Sequence, residues 1–122
     1  MTIKEPKISK LEVNLNHNLS EKVEISVNIF GNISIPKDIS NNSCSASETV
    51  EVFLEDKTKI ILIEMKSPVI YDKDSKDSLE EKNKKIEKEA FPILYKEIYS
   101  ILTFLFNKLP IKFPPLPEKI DF

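Results

Sequence analysis

Apolar and polar residues alternate most clearly from residue 22 to residue 35, in the segment KVEISVNIFGNISI. This period of two is typical of a β-strand with one buried and one wetter face. An earlier segment, KLEVNLN, alternates in the same way, and HNLSEK between the two predicts a turn. The apolar positions of the two predicted strands are Leu11, Val13 and Leu15 in the first, and Val23, Ile25, Val27, Ile29, Ile33 and Ile35 in the second.

Two further strands are predicted between residues 48 and 71. ETVEVFLE alternates again, EDKT predicts a turn, and KIILIEMKSPVIY follows as a strand that is apolar on both faces. Pro68 lacks a backbone donor, so we expect a bulge or an edge position there. The polar stretch PKDISNNSCSASE before these strands has no periodicity, and we expect it to be a long crossing connection.

The second half of the chain predicts helices. DSKDSLEEKNKKIEKEA is charged and rich in helix formers, with Ser78 or Asp77 as the expected N-cap. Because proline is tolerated in a first turn, we expect Pro92 to start a second helix that runs to about Lys108. Its apolar positions extend nearly all round the helix, which predicts self-association. The positions expected at an oligomer interface are Leu94, Ile98, Ile101, Leu102 and Leu105.

The chain closes with NKLPIKFPPLPEKIDF, in which four of the eight prolines alternate with large apolar residues. Proline fixes φ and removes a backbone donor, so this tail is expected to be extended and to rest on an apolar surface. Its P-x-x-P spacing fits a groove in another protein, but intramolecular packing is favoured because the prolines directly follow a buried helix.

Charge and composition narrow the functional classes. The 18 cations are all lysine and are balanced by 20 acidic residues, which argues against a nucleic-acid binder and against a membrane-inserting protein. The single cysteine, Cys44, lies in a polar run and is interpreted as an incidental loop residue. Because a single thiol cannot form a disulfide within the chain, a reducing compartment is expected. The N-terminal residues carry charges and a proline instead of a signal peptide's apolar run, so a cytoplasmic location is expected.

Few residues favour catalysis. His17 is the only histidine, and it has no cysteine at metal-ligand spacing, so we expect a turn residue and no metal site. Gly31 is the only glycine, which excludes phosphate-binding loops that need several. The acidic pairs, such as Glu80 with Glu81, are better explained as solvated. We therefore expect no enzyme activity and no cofactor.

Several of these segments together resemble the SecB-type protein export chaperones and their SecB-like relatives. The similarity lies in the order of four strands, in EAFPILYKEIYSILTF, and in LPIKFPPLPEKIDF. The family's helix motif is matched by Phe91, Pro92, Tyr95, Lys96 and Glu97, with lysine in place of arginine at residue 96. Its later Leu-Pro motif is matched more loosely by Leu116, Pro117, Ile120, Asp121 and Phe122.

The resemblance implies one α+β domain over residues 1–122, with a four-stranded antiparallel sheet packed against a long C-terminal helix and a Pro-rich extended tail. It also implies a homodimer or homotetramer, and an ATP-independent chaperone that binds unfolded or partly folded polypeptide in an apolar groove. The implied groove residues are Val23, Ile25, Val27 and Ile29 from the second strand and Phe113, Leu116, Ile120 and Phe122 from the tail.

The client and the partner are left open by the resemblance. Family members typically continue past the position of Phe122 into a second helix and a polar tail that meet the export motor. A dedicated client, such as the antitoxin of a toxin–antitoxin system, therefore fits at least as well as protein export. Two other classes stay open from composition alone: a small carrier of a lipid-like ligand, and a purely structural oligomer.

Overall fold

The computed structural model describes residues 1–15, 24–38, 42–109 and 116–117. They form one antiparallel sheet and one long helix, which confirms the predicted α+β fold. The elements in chain order are β1 (Thr2–Ile3), β2 (Lys7–Val13), β3 (Ile25–Ser34), β4 (Ser43–Leu54), β5 (Lys59–Ile70) and α1 (Leu79–Lys108).

The sheet has β4 and β5 at its centre. β3 pairs with β4 on one side, and β1 and β2 follow one another along the other side of β5. β3 and β4 are direct antiparallel neighbours, from the pair Ile25–Leu54 to the pair Ser34–Ser45. The expectation of a crossing connection between them is therefore wrong. β2 and β3 lie at opposite edges of the sheet, and the turn predicted between them, HNLSEK, lies outside the described residues.

The third predicted strand, β4, starts earlier than its sequence suggests. β4 begins at Ser43, so the polar run SCSAS belongs to a strand and not to a loop. Cys44 and Ala46 are buried on the same face, and the serines between and beside them make the alternation of this segment hard to recognise. The interpretation of Cys44 as a loop residue is wrong; its thiol is buried, and burial raises its pKa.

Pro68 lies within a central strand and not at an edge, but the alternative expectation of an irregularity fits, because the register slips by one residue between the pairs Ile3–Val69 and Lys7–Lys66. It is paired with Ser45 of β4, and on its other side it faces the gap between β1 and β2. Its carbonyl accepts a hydrogen bond from the Lys4 amide. The return bond, which proline cannot donate, is replaced by the Ser67 hydroxyl donating to the Lys4 carbonyl. The ladder therefore stays satisfied without the missing amide.

The helix is continuous from Leu79 to Lys108, so the prediction that Pro92 starts a second helix is wrong. Ser78 is the N-cap, as expected, and its hydroxyl accepts from the Glu81 amide. Proline in a helix interior removes one backbone hydrogen bond, at a cost of about 3 kcal/mol. Buried side chains on both sides of Pro92, including Ile86 and Ile98, supply the packing that offsets this cost.

The core lies between this helix and one face of the sheet. The helix packs against β3, β4 and β5. Fully buried residues come from β4, β5 and the helix, and they include Val50, Val52, Ile61, Ile63, Ile86, Leu94, Ile98 and Leu102. The first half of the helix, which alone would be a solvated helix, contributes Ile86 and Ala90 to this core.

Candidate functional site

A row of apolar side chains on β3 lies beside the core. Ile25, Val27 and Ile29 pair with Leu54, Val52 and Val50 of β4, so they share the face that the helix covers. We call these three residues the β3 row. Each is half-buried and packs against the core, which leaves part of every side chain accessible.

Helix and strand approach closely next to this row. Gly31 continues it along β3, and the Phe91 ring occupies the space that a side chain would need. A Cβ built at residue 31 would lie 2.4 Å from Phe91 Cζ. The glycine is therefore required for the contact between the two elements.

Two residues of the tail, Leu116 and Pro117, contact the helix or the core beside it. The Tyr95 hydroxyl donates to the carbonyl of Pro117, and Leu116 packs half-buried against the core. The structure therefore brings Leu116 and the β3 row to one core. Four other predicted groove residues lie outside the described residues: Val23, Phe113, Ile120 and Phe122.

The predicted interface residues of the helix divide into two sets. Leu94, Ile98 and Leu102 are fully buried against the chain's own sheet. Ile101 and Leu105 are half-buried, and Phe104 beside them is 61% exposed. Self-association through the helix therefore stays a prediction. Only the second set can contact another chain while the core keeps its packing.

A second apolar row lies on β2 and was not singled out as a site from the sequence. Ile8, Leu11 and Val13 pair with Met65, Ile63 and Ile61 of β5, so they point to the helix side of the sheet. With Leu15 they form what we call the β2 row, whose side chains are 38 to 48% exposed. Alternation in the sequence predicts the strand, but it does not predict that the helix packs over β3, β4 and β5 and leaves these side chains exposed.

One carboxylate in the core was also missed by sequence reasoning. Glu48 of β4 is 0% exposed, and neither of its carboxylate oxygens has a hydrogen-bond partner among the described residues. Burial raises its pKa to about 8. Within ETVEVFLE, Glu48 shares a strand face with Val50, Val52 and Leu54, so the alternation itself places it inward, although a carboxylate is rarely fully buried.

A polar cluster joins the start of the helix to the end of β5. The Tyr71 hydroxyl donates to Asp77, and the Lys85 ammonium lies 2.7 Å from the same carboxylate. The Lys85 bond and then the Tyr71 bond lower the pKa of Asp77. An open cavity of about 420 Å³ beside the cluster is lined largely by charged residues, so it does not suit a lipid-like ligand.

Metal and membrane functions receive no support from the described ranges. Residues 1–15, 24–38, 42–109 and 116–117 contain no group of three or more histidine, cysteine, aspartate or glutamate side chains placed to hold a metal ion. Within the same ranges, no helix is both long and apolar enough to cross a membrane.

Comparison with known proteins identifies the fold. No family model matches the sequence, and no curated protein does. Among solved structures, the chain is similar to the SecB-like chaperone Rv1957 of Mycobacterium tuberculosis in complex with a ChAD peptide from the Rv1956 HigA1 antitoxin. The TM-score is 0.74 at 12% identity, over 99% of this chain and 87% of that one. The chain therefore has a SecB-like α+β fold.

Proposed function

We propose that this protein is an ATP-independent chaperone that binds unfolded or partly folded polypeptide along the β3 row and the tail. The observation that carries the proposal is the partly accessible β3 row beside the fastened residue Leu116, in a SecB-like fold. Apolar surface left open next to a core is a common feature of binding sites. The tail residues Phe113, Ile120 and Phe122 belong to the same proposed groove.

The proposed mode of binding needs no catalytic group. An extended client buries apolar side chains against the β3 row, and each buried methylene contributes about 0.8 kcal/mol before ordering costs. No strand in the described part of the chain pairs with the outer edge of β3, so its backbone groups can add hydrogen bonds to an extended client. Burial without specific polar contacts makes such binding permissive.

A dedicated client is the finer form of the proposal. The solved structure with the same fold contains a peptide from an antitoxin. That likeness supports a polypeptide client of this kind for the present chain, acting in the cytoplasm, and an export motor is the other partner implied by the family resemblance.

The β2 row favours a different occupant, a second copy of this chain. It lies on an edge strand, and its side chains continue the face that forms the core. Exposed apolar edges of this kind pair readily with another strand. Pairing two β2 edges would give a homodimer, and Ile101, Leu105 and Phe104 of the helix are available to extend it to a homotetramer.

Suppression of aggregation tests the chaperone proposal. The purified protein is mixed at stoichiometric amounts, without ATP, with a slowly refolding protein whose light scattering is followed. We expect the parent to suppress the scattering and a Phe113→Ser, Leu116→Ser, Phe122→Ser triple variant to lose most of this effect while keeping its circular dichroism spectrum.

Two results would count against the proposal. If the parent does not suppress aggregation, the protein has no general holding activity. If the folded triple variant suppresses aggregation fully, the tail is not part of the client-binding groove. Mass spectrometry of an extract of the purified protein is the matched test of the lipid-carrier alternative, which requires a co-purifying apolar ligand.

A further inference from the structure

The buried carboxylate Glu48 has no role in the proposed client groove, yet it lies at the junction between helix and sheet. On its two neighbouring strands it faces Gly31 of β3 and Met65 of β5. Both carboxylate oxygens are fully buried and have no hydrogen-bond partner among the described residues. A buried polar group in this state costs free energy, and an ionised one costs more.

The groups around Glu48 determine how it responds to pH. Gly31 is covered by the Phe91 ring, so β3 presents no charge there. On β5, Met65 is flanked by Ile63 and by Ser67, whose hydroxyl already donates to the Lys4 carbonyl. No cation of the described residues contributes to the shift of the Glu48 pKa to about 8, for which burial is the cause.

The helix approaches Glu48 at Phe91, whose ring lies against Gly31, the β3 partner of Glu48. Tyr95 follows Phe91 one helical turn later and is buried, so we take its hydroxyl as the titratable helix group next to Glu48. Burial raises the pKa of Tyr95, and the Glu48 charge raises it further, with a smaller contribution from Tyr99. The Tyr95 hydroxyl therefore keeps its proton when Glu48 ionises. That proton is the one donated to the Pro117 carbonyl.

We propose that the Glu48 carboxylate and the Pro117 carbonyl compete for the Tyr95 hydroxyl proton, so that ionisation of Glu48 releases the segment at Leu116 and Pro117 from the helix. A charged acceptor forms a hydrogen bond roughly twice as strong as a neutral one. While Glu48 is protonated, Tyr95 holds the tail; once the proton leaves to solvent, the hydroxyl turns to the carboxylate.

The consequence for clients rests on the proposed function. Leu116 is a wall of the proposed groove, so its release changes the surface that a client meets. Proton uptake by Glu48 would then regulate the groove from beneath it, without any contact between Glu48 and the client.

Nuclear magnetic resonance tests the competition without any client. The ¹³C shift of the Glu48 carboxyl and the methyl shifts of Leu116 are followed from about pH 6 to about pH 10. We expect one shared midpoint near 8 in the parent. In Glu48→Gln the Leu116 shifts should stay constant, and in Tyr95→Phe the Glu48 signal should still titrate while the Leu116 shifts do not follow it.

Three outcomes would overturn the proposal. The Glu48 carboxyl could titrate near its ordinary value, the Leu116 shifts could stay constant in the parent while Glu48 titrates, or they could titrate unchanged in Glu48→Gln. If a variant does not fold, the two midpoints of the parent still decide, because unequal midpoints contradict a shared switch.

Client binding is a separate measurement on the same samples. Binding of a reduced, unfolded polypeptide labelled with a fluorophore is followed by anisotropy over the same pH range. A parent that binds at no pH would overturn the proposed function and leave the shift data to decide the switch. Binding with the same pH profile in the parent and in Glu48→Gln would overturn the link between the switch and the groove.

Discussion

The two rows of apolar side chains lie on opposite edges of one sheet and point to the same side. The β3 row is half-buried, with the helix packed against its strand and Leu116 on the same core. The β2 row is 38 to 48% exposed, because the helix packs against β3, β4 and β5. Similar alternation in sequence therefore gives two surfaces with different coverage.

The two rows differ in exposure because the helix lies close to β3 and does not reach β2. At β3, Gly31 allows the Phe91 ring to lie against the strand backbone. Beside β2, the edge carries the exposed residues Ile8 and Leu11 with no helix over them. In the proposed function, the partly covered row binds the client and the open row binds a second copy.

Gly31→Val should have the largest effect on the free energy of unfolding, because it disrupts the contact between Phe91 of the helix and β3. The new side chain would start 2.4 Å from Phe91 Cζ, so the ring or the helix must move. Overpacking of this kind costs about 1 to 3 kcal/mol, and we expect the upper end in urea unfolding. Adding Phe91→Leu should recover part of the loss, and an unchanged unfolding midpoint in Gly31→Val would contradict the close approach.

Glu48→Gln should remove a pH dependence that originates beneath the β3 row. The folded pKa of about 8 lies above the ordinary 4.5, so the native state binds more protons than the unfolded state between these values. Stability contributed by this group is therefore full below about pH 4.5 and falls as the pH rises to about 8.

Urea unfolding at a series of pH values checks this expectation. At pH 9 we expect Glu48→Gln to be more stable than the parent by about 2 kcal/mol, because its neutral side chain carries no charge into the core, where a buried ion costs several kcal/mol. Identical pH profiles of the two proteins would show that Glu48 is not buried in the charged state at high pH.

Matched isoleucine deletions compare the two rows directly. Ile29→Ala removes a half-buried side chain that packs on the core, and we expect a loss of about 1 to 2 kcal/mol. Ile8→Ala removes one that is 47% exposed, and the loss should be about 0.5 kcal/mol or less in dilute protein.

The same pair of variants reports on the partner of the β2 row. If a second copy covers Ile8, its deletion should cost more as protein concentration rises, whereas the cost of Ile29→Ala should not change. Equal losses for both variants at low concentration would contradict the difference in coverage.

Tyr95→Phe should have a small and local effect on stability. It removes the hydrogen bond to the Pro117 carbonyl and leaves the ring packed, which corresponds to about 1 kcal/mol. The change should be concentrated in the tail, and hydrogen exchange of a peptide covering residues 109–122 should accelerate while strand peptides stay protected. Uniform acceleration throughout the chain would point to loss of core packing instead.

Much of the fold was predictable because local patterns agree with it. Alternation located the main strands, and the helix N-cap was expected at Ser78 or Asp77, of which Ser78 is correct. The continuous helix was not predictable, since Pro92 breaks a helix unless tertiary packing holds both sides. Cys44 was misplaced because the serines around it hide the alternation of β4.

The candidate site was less predictable than the fold. Ile25, Val27, Ile29 and Leu116 were expected in a groove only through the family resemblance, and their role stays a prediction. Coverage of the β2 row and the complete burial of Glu48 depend on strand pairing and helix placement. These are long-range pairings that no local pattern contains.

The most direct test of the account is polypeptide binding by two matched valine variants, Val27→Ser on the β3 row and Val13→Ser on the β2 row. Anisotropy with an unfolded, fluorescently labelled polypeptide gives the affinity, and analytical ultracentrifugation gives the mass of each protein. We predict that Val27→Ser weakens binding and keeps the parent's mass, while Val13→Ser lowers the mass. Weaker binding in Val13→Ser at unchanged mass, with Val27→Ser binding like the parent, would contradict the assignment of the two rows.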